Sequence, residues 1–340
     1  MEDAPRPTLK TIAQITGLTI ATVSRALNDA PDIAQRTKVR VRAVADQIGY
    51  LPNRAGQRLR TGKTHVISLL LTTEPDIMNH TAQLISAVAE GLTGTGYHLV
   101  VTPYAPRGDL MAPLKMIVDT QSADAVILNQ TRREDPRVAY LMEKRFPFAT
   151  HGRTIWAEDH PWCDFDNHGF AALGMEALAH RGRKQVMLIA PPADQFYGME
   201  VRHGAKEAAA KYGLTLVPIV GVTSDSPAAQ ITEAVQSLLA THPEIDGILC
   251  ASPMGAIAAI NAAEALGRRL AQDIDVFAKE ALPLLRQFRP ETLALHEDVI
   301  RAGDGLARAA IRAIDTPDLR PLQDLHPARY DDPMGAPPQC

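Results

Sequence analysis

The sequence predicts a small helical head joined to an α/β body of two subdomains with parallel sheets. Three observations carry this fold class. Residues 1–50 hold two short helical segments separated by Gly17, with a third behind them. From residue 64 onward, short apolar runs of strand type alternate with helical runs. Charge divides at the same place. Residues 1–64 carry 11 Lys and Arg against 5 Asp and Glu, and the remainder carries 24 against 34. A basic head on an acidic body points the head toward a polyanion.

In the head, Thr8 stands as an N-cap before "LKTIAQITG", where Leu9, Ile12 and Ala13 share one helical face. Gly17 supplies the left-handed residue that ends this helix. Thr19 caps a second helix, "IATVSRALN", whose Val23 and Leu27 turn inward. Asp32 precedes a third helix with an apolar stripe of Val41, Val44, Ala45 and Ile48, stopped by Gly49. Two short helices around a tight glycine turn form a helix-turn-helix, whose second helix enters the major groove. Thr19, Ile20 and Ala21 then stand at the helix start, where base edges are read. Arg25 offers a bidentate fork to guanine. Thr8, Thr22, Ser24 and Asn28 carry short donors suited to phosphates. The competing reading is a solvated three-helix bundle.

In the body, "HVISLLLT", "HLVVTP", "ADAVILN", "FPFATHGR", "WCDFDN", "KQVMLIAP", "TLVPIVGV", "DGILCAS" and "DIDVFAK" read as strands with helices between them. About ten such segments exceed one comfortable sheet, which predicts two α/β subdomains. Ligands of open α/β sheets bind beyond the strand C-termini, so two facing sheets make a cleft able to hinge.

"TLKTIAQITGLTIATVSRALND", followed by "GYLPNRAGQRLRTGKT", closely resembles the lac-repressor/galactose-repressor (LacI/GalR) family. The resemblance implies a helix-turn-helix domain over 1–50, a hinge helix over 51–63 that folds on DNA, and an effector-binding and dimerisation domain over 64–328. It implies a periplasmic-binding-protein-like body crossed three times by the chain. "WCDFDNHGF" places the first crossover near 162–166, "LALHED" the second near 290–296, and "LQDLHPARYDD" the third near 321–328. Residues 329–340 are an expected disordered tail. In the hinge, Asn53, Arg54 and Arg58 join the DNA contacts, and Leu59 matches the family's minor-groove wedge. Gly56 and Gln57 depart from the family's usual Ala and Arg, and glycine costs a helix about 1 kcal/mol. The function implied is a repressor of a carbohydrate uptake or catabolism operon. It binds a pseudo-palindromic operator as a homodimer and is released by a sugar. A corepressor with a non-sugar ligand such as a purine has the same architecture with the opposite sign.

A sugar needs planar, multi-point hydrogen bonders at strand ends. The candidates are Asp76 and Asn79 after the first strand, Asn129 after "ADAVIL", and Arg153 after "FPFATH". His151, Asp164 and Arg132 stand beside them. Asp166 reads equally as a helix cap, and Arg202 equally as an internal ion-pair member, its spacing to Gly204 being one short of the family's R-x-x-G. Ser252 stands where the family commonly has Asn. Lys279 and Glu280 replace an aromatic residue and Asp, and read either as pocket groups or as a solvated pair. Trp156 and Trp162 suit stacking or a core equally. Sparse aromatics favour a sugar over an aromatic-sandwich purine site. "FATHGRT" and "VFAKE" resemble a branch of the family associated with sugars such as α-glucosides.

Other classes are excluded on chemistry. No run reaches the roughly 18 apolar residues a membrane span needs, and no secretory signal opens the chain. Cys163, Cys250 and Cys340 form neither a disulfide framework nor a metal pair, and a reducing cytoplasm is expected, with the nucleoid as the site of action on operator DNA. No nucleophile elbow, P-loop or dinucleotide fingerprint is present, and "GLTGTG" ends a helix rather than opening one. His151, His160, His168 and His180 lack zinc spacing, so neither metal nor cofactor is expected. The tail lacks the heptads of a tetramerising coil.

Overall fold

The structure is a computed structural model. It describes residues 7–50, 58, 62–72, 78–105 and 108–330, with the side chains of Met78 and Asn79 excepted. The chain divides into two compact units, residues 1–64 and 65–340. The expected contacts of Asn53, Arg54 and Leu59, the departures at Gly56 and Gln57, the candidate Asp76 and the side chain of Asn79 lie outside the described residues.

The first unit holds α1 (Leu9–Thr16), α2 (Ile20–Leu27) and α3 (Gln35–Gln47). Thr8 and Thr11 close a reciprocal capping box on α1, and Thr19 Oγ1 accepts from Thr22 N at 3.1 Å on α2. Gly17 adopts φ 67°, the left-handed turn that lets α2 leave α1 sharply. Ile12, Ala13, Val23, Ala26, Val41 and Ala45 form the buried core. Asp32 does not cap α3. The helix starts at Gln35 after Ala34 without a side-chain cap, and Asp32 instead pairs with Arg25.

The second unit opens with β1 (Val66–Thr72), α4 (Met78–Gly91), β2 (His98–Tyr104), α5 (Ala112–Thr120), β3 (Ala125–Leu128) and α6 (Pro136–Lys144). It continues through β4 (Phe148–His151), β5 (Trp162–Phe165), α7 (Asn167–His180), β6 (Gln185–Ile189) and α8 (Phe196–Tyr212). Then come β7 (Thr215–Pro218), α9 (Ala228–Thr241), β8 (Gly247–Cys250), α10 (Pro253–Ala265) and β9 (Asp275–Glu280). The last elements are α11 (Leu284–Phe288), β10 (Leu293–His296), α12 (Val299–Asp315) and β11 (Gln323–His326).

All named strand pairs are parallel. One sheet runs β11-β5-β4-β3-β1-β2 and the other β10-β9-β8-β6-β7. The strand burial explains the near-continuous apolar runs: residues 67–71 of β1 and all of β3 and β8 are buried under helices on both faces. The chain changes sheets between β5 and α7, since α7 packs on the second core. It returns between β10 and α12, since Leu306, Ala307 and Ala310 join the first core. After β11, Ala328 and Tyr330 pack on the second core again.

Helix α12 lies close against α4. A Cβ added to Gly303 would stand 2.4 Å from Ala87 Cβ and 2.8 Å from backbone atoms of α4. Backbone cannot yield as a flexible side chain can, so Gly303→Ala should destabilise the second unit by about 1–3 kcal/mol. A urea melt showing unchanged stability would mean the two helices separate freely.

Candidate DNA interface and effector cavity

On the head, Thr8, Thr19, Ile20, Ala21, Arg25 and Asn28 are exposed, while Thr22 and Ser24 are half-buried. Ile20 is an apolar residue left 49% exposed at the start of α2. The Thr19 and Thr22 hydroxyls share a 2.8 Å hydrogen bond, which fixes both at the helix start. Asn28 Nδ2 donates to Ser24 O, closing the end of α2. Arg25 and Asp32 are each about half exposed, so their pair is of the weak surface kind. Arg58 is exposed.

In the second unit, a cavity of about 440 Å³ lies beyond the C-terminal ends of β3, β4, β8, β9 and β10. Its polar floor is built from Asn129, His151, Asp164, Asn167, Lys279 and Glu297, with His80, Tyr197, Asp225 and Ser252 around it. Met254, Ile257, Leu282, Leu284 and Phe288 form an apolar side. This asymmetry suits a ligand with hydroxyls on one part and C–H faces on another.

Lys279 organises the floor. Its Nζ lies 2.8 Å from Glu297 Oε2 and donates to Asn167 Oδ1 at 3.0 Å. The ammonium also faces the Phe165 and Tyr197 rings at 5.2 and 5.8 Å. The sequence suggested a Lys279–Glu280 pair. Adjacent strand residues point to opposite faces, so Glu280 turns away and accepts from Leu285 N at 3.0 Å. Burial raises the Glu280 pKa. Burial acts upward on Glu297 too, but Lys279 and His80 outweigh it and hold that carboxylate well below its usual range.

His151 Nδ1 meets Asn129 Oδ1 at 3.0 Å. An amide oxygen only accepts, so Nδ1 carries the proton and Nε2 is the acceptor of this neutral ring. His80 stacks on His151 at 5.4 Å, and His80 Nε2 lies 3.4 Å from Glu297 Oε1. Burial, reinforced by His80, lowers the His151 pKa to about 3. Asn129 is positioned by a buried ion pair behind it. Asp135 caps α6 and holds Arg137, whose guanidinium donates to the carbonyls of Asn129 at 3.2 Å and Gln130 at 3.1 Å.

Of the candidate effector residues, Asn129, Ser252, Lys279 and Glu280 line the cavity. Ser252 also caps α10 and donates to Ser224 O at 2.9 Å. Three others lie off the cavity wall. Asp166 is the N-cap of α7, accepting from Gly169 N at 2.8 Å, because the helix begins at the next residue. Arg202 bonds its own helix at Gly198 O, and burial lowers its pKa. Arg153 donates to Asp164 Oδ2 at 2.7 Å and to Glu200 Oε2 on α8 at 2.9 Å, clasping the two halves from behind. Even so, burial raises the Asp164 pKa to about 6. Trp156 packs on the first core and Trp162 donates to Ala157 O, so neither faces the cavity. The sequence reading passed over His80, Asn167, Tyr197, Asp225 and Glu297. Glu297 follows β10 and Asn167 follows β5, so the strand-end rule applied to every strand points to both.

A histidine kept neutral by burial costs stability in acid. The unfolded ring binds its proton below about pH 6.5 while the folded one stays neutral until about pH 3, so stability is full above 6.5 and falls as pH drops between the two. His151→Gln should therefore be less acid-sensitive than wild type, by about 2 kcal/mol between pH 7 and 5. Parallel melts of the two proteins at those pH values would show the opposite if His151 were protonated in the fold.

Comparison with known proteins places both units. Residues 8–53 match the model of bacterial regulatory proteins of the lacI family, and residues 64–300 match that of periplasmic binding proteins and the sugar-binding domain of the LacI family. The HTH-type transcriptional regulator AglR of Rhizobium meliloti (strain 1021) is 30% identical, over 93% of this chain and 90% of its own. CelR of Thermobifida fusca is 27% identical, over 95% and 96%. In fold, the chain is similar to a CelR–cellobiose complex, with TM-score 0.71, 23% identity and coverage of 96% and 98%. It is also similar to the lac repressor dimer bound to operator and the anti-inducer ONPF, with TM-score 0.81, 19% identity and coverage of 95% and 97%. The chain belongs to the LacI family of bacterial regulatory proteins, and is a DNA-binding transcriptional regulator rather than an enzyme.

Proposed function

We propose that the protein represses a carbohydrate uptake or catabolism operon and is released from a pseudo-palindromic operator by a sugar. The observation that carries this reading is the cavity's paired chemistry: a floor of fixed donors and acceptors opposite an apolar side. Lys279 supplies N–H donors, His151 Nε2 an acceptor, and Asp164 and Glu297 carboxylate oxygens, a set that matches vicinal hydroxyls. One relative, similar in fold over 96% of this chain, is seen with cellobiose, which supports a glucoside-type ligand.

The head reads one half-site, so operator recognition needs a homodimer. Sugar in the cavity would alter how the two halves of the second unit close, and through the dimer the spacing of the heads. Coupling of about 1–3 kcal/mol, or 5- to 150-fold, is the usual range. The cytoplasm is the compartment in which such a regulator meets both DNA and imported sugar. No helix among the described residues is long and apolar enough to cross a membrane.

The test is a titration of full-length protein onto a pool of pseudo-palindromic DNA sites at fixed salt, with and without a panel of sugars, sugar acids and purines. Selection of a palindrome that one sugar weakens is the expected result. A compound required for binding would reverse the sign to corepression, and no selective binding would overturn the reading. On the selected operator, Arg25→Ala should weaken binding 5- to 150-fold, the worth of one bidentate base contact. Lys279→Met strands Glu297 and so costs the fold about 3–5 kcal/mol. At a temperature where its melt shows it folded, it should still bind operator and lose relief by the sugar, measured as fluorescence anisotropy of labelled operator.

A further inference from the structure

A second cluster of imidazoles and a carboxylate lies outside the cavity, on the face shared by α7 and α8. We propose that His168, His203 and Glu207 form an open three-ligand site for a divalent transition-metal ion of the zinc type.

The geometry comes from helix packing. His203 and Glu207 are four apart on α8 and so share one face. His168 lies in the first turn of α7. What brings it to them is Gly204, where an added Cβ would stand 2.2 Å from His168 O. Only a residue without a side chain lets α8 settle on that turn. The His168 and His203 rings then meet edge-on at 5.3 Å. Glu207 faces both: Oε2 lies 2.8 Å from His168 Nε2, and Oε1 lies 3.2 Å from His203 Nε2. One ligand atom from each residue lies within 4.8 Å of the other two.

These spacings suit a metal. Bonds of about 2.0–2.2 Å in a tetrahedron set ligand atoms about 3.3–3.5 Å apart, so small side-chain shifts complete the site. Two His and one Glu are a known zinc set that leaves the fourth position to water. His203 and Glu207 are 61% and 57% exposed, which gives an ion direct entry.

His80, His151 and Glu297 in the cavity also converge, but Lys279 already stands 2.8 Å from Glu297. A dication a few ångströms from that ammonium would meet strong repulsion in this enclosed site. The cavity triad is therefore better suited to sugar hydroxyls, and the outer triad to the ion. This proposal stands apart from the sugar reading, since its residues lie off the cavity wall.

The experiment is calorimetric titration of chelator-treated, tag-free, full-length protein with Zn²⁺, paralleled by Co²⁺ and its visible absorption for coordination geometry. Wild type should bind one ion per chain at this site, with the Co²⁺ spectrum of a low-coordinate N/O site. His203→Ala and Glu207→Ala, both exposed helical positions that keep the fold, should each weaken binding at least tenfold. His151→Gln should bind as wild type does. Absence of binding to wild type, wild-type affinity in both alanine variants, or loss in His151→Gln instead would overturn the assignment.

Discussion

The second unit depends on one buried ammonium. Lys279 sits at the end of β9 and bonds Asn167, which opens α7, and Glu297, which follows β10. Those two partners stand where the chain passes from one sheet to the other and back. A single cation thus ties both passages to one strand. The pair is nearly enclosed, with 13% and 5% of the two side chains exposed. Breaking such a pair from one side costs about 3–5 kcal/mol, because the remaining charge is stranded. The same cation keeps Glu297 ionised, and Glu297 in turn orients His80 beside the neutral His151. The cavity's donors and acceptors are therefore set by an ion pair and not left to loop chance.

Around that centre, helices approach closely where side chains are absent. Gly174 lies under Leu249 and Phe277, Gly204 on the His168 carbonyl and Gly303 on α4. Close-packed helices move as bodies, so the closure proposed for effector binding would be taken up where the two halves meet. Arg153 lies at that boundary, joining Asp164 of the first sheet to Glu200 of α8. Thr131 O accepting from Phe196 N at 2.9 Å adds a backbone link nearby. Under the proposed function, a ligand competing for Asp164 would act directly on this clasp.

In the head, the constraint is capping. Thr8 and Thr19 each satisfy backbone donors at a helix start, and Gly17 permits the sharp exit between them. The small core of Ile12, Val23 and Val41 then holds α2 with Ile20 and Ala21 outward. Two helices of eight residues are marginal alone. Their stability comes from this packing, and it leaves the exposed face of α2 free to be chosen for DNA.

By itself the sequence determined the parts governed by local rules. Caps at Thr8 and Thr19, the turn at Gly17 and the alternation of buried strands with helices follow from backbone geometry and periodicity, so the fold class was legible. At the site, legibility stopped at strand ends. Asn129, Ser252, Lys279 and Glu280 sit there and line the cavity, but Asp166, Arg153 and Arg202, equally able to hydrogen-bond a hydroxyl, lie off its wall. Residue type cannot tell a ligand from a cap or a clasp, because that choice depends on which partner arrives from elsewhere in the chain. Tertiary structure alone brought Glu297 to Lys279, Glu200 to Arg153, and His203 with Glu207 to His168. Each joins residues from separate elements, and only the packing of whole helices and sheets places such residues within a hydrogen bond of one another.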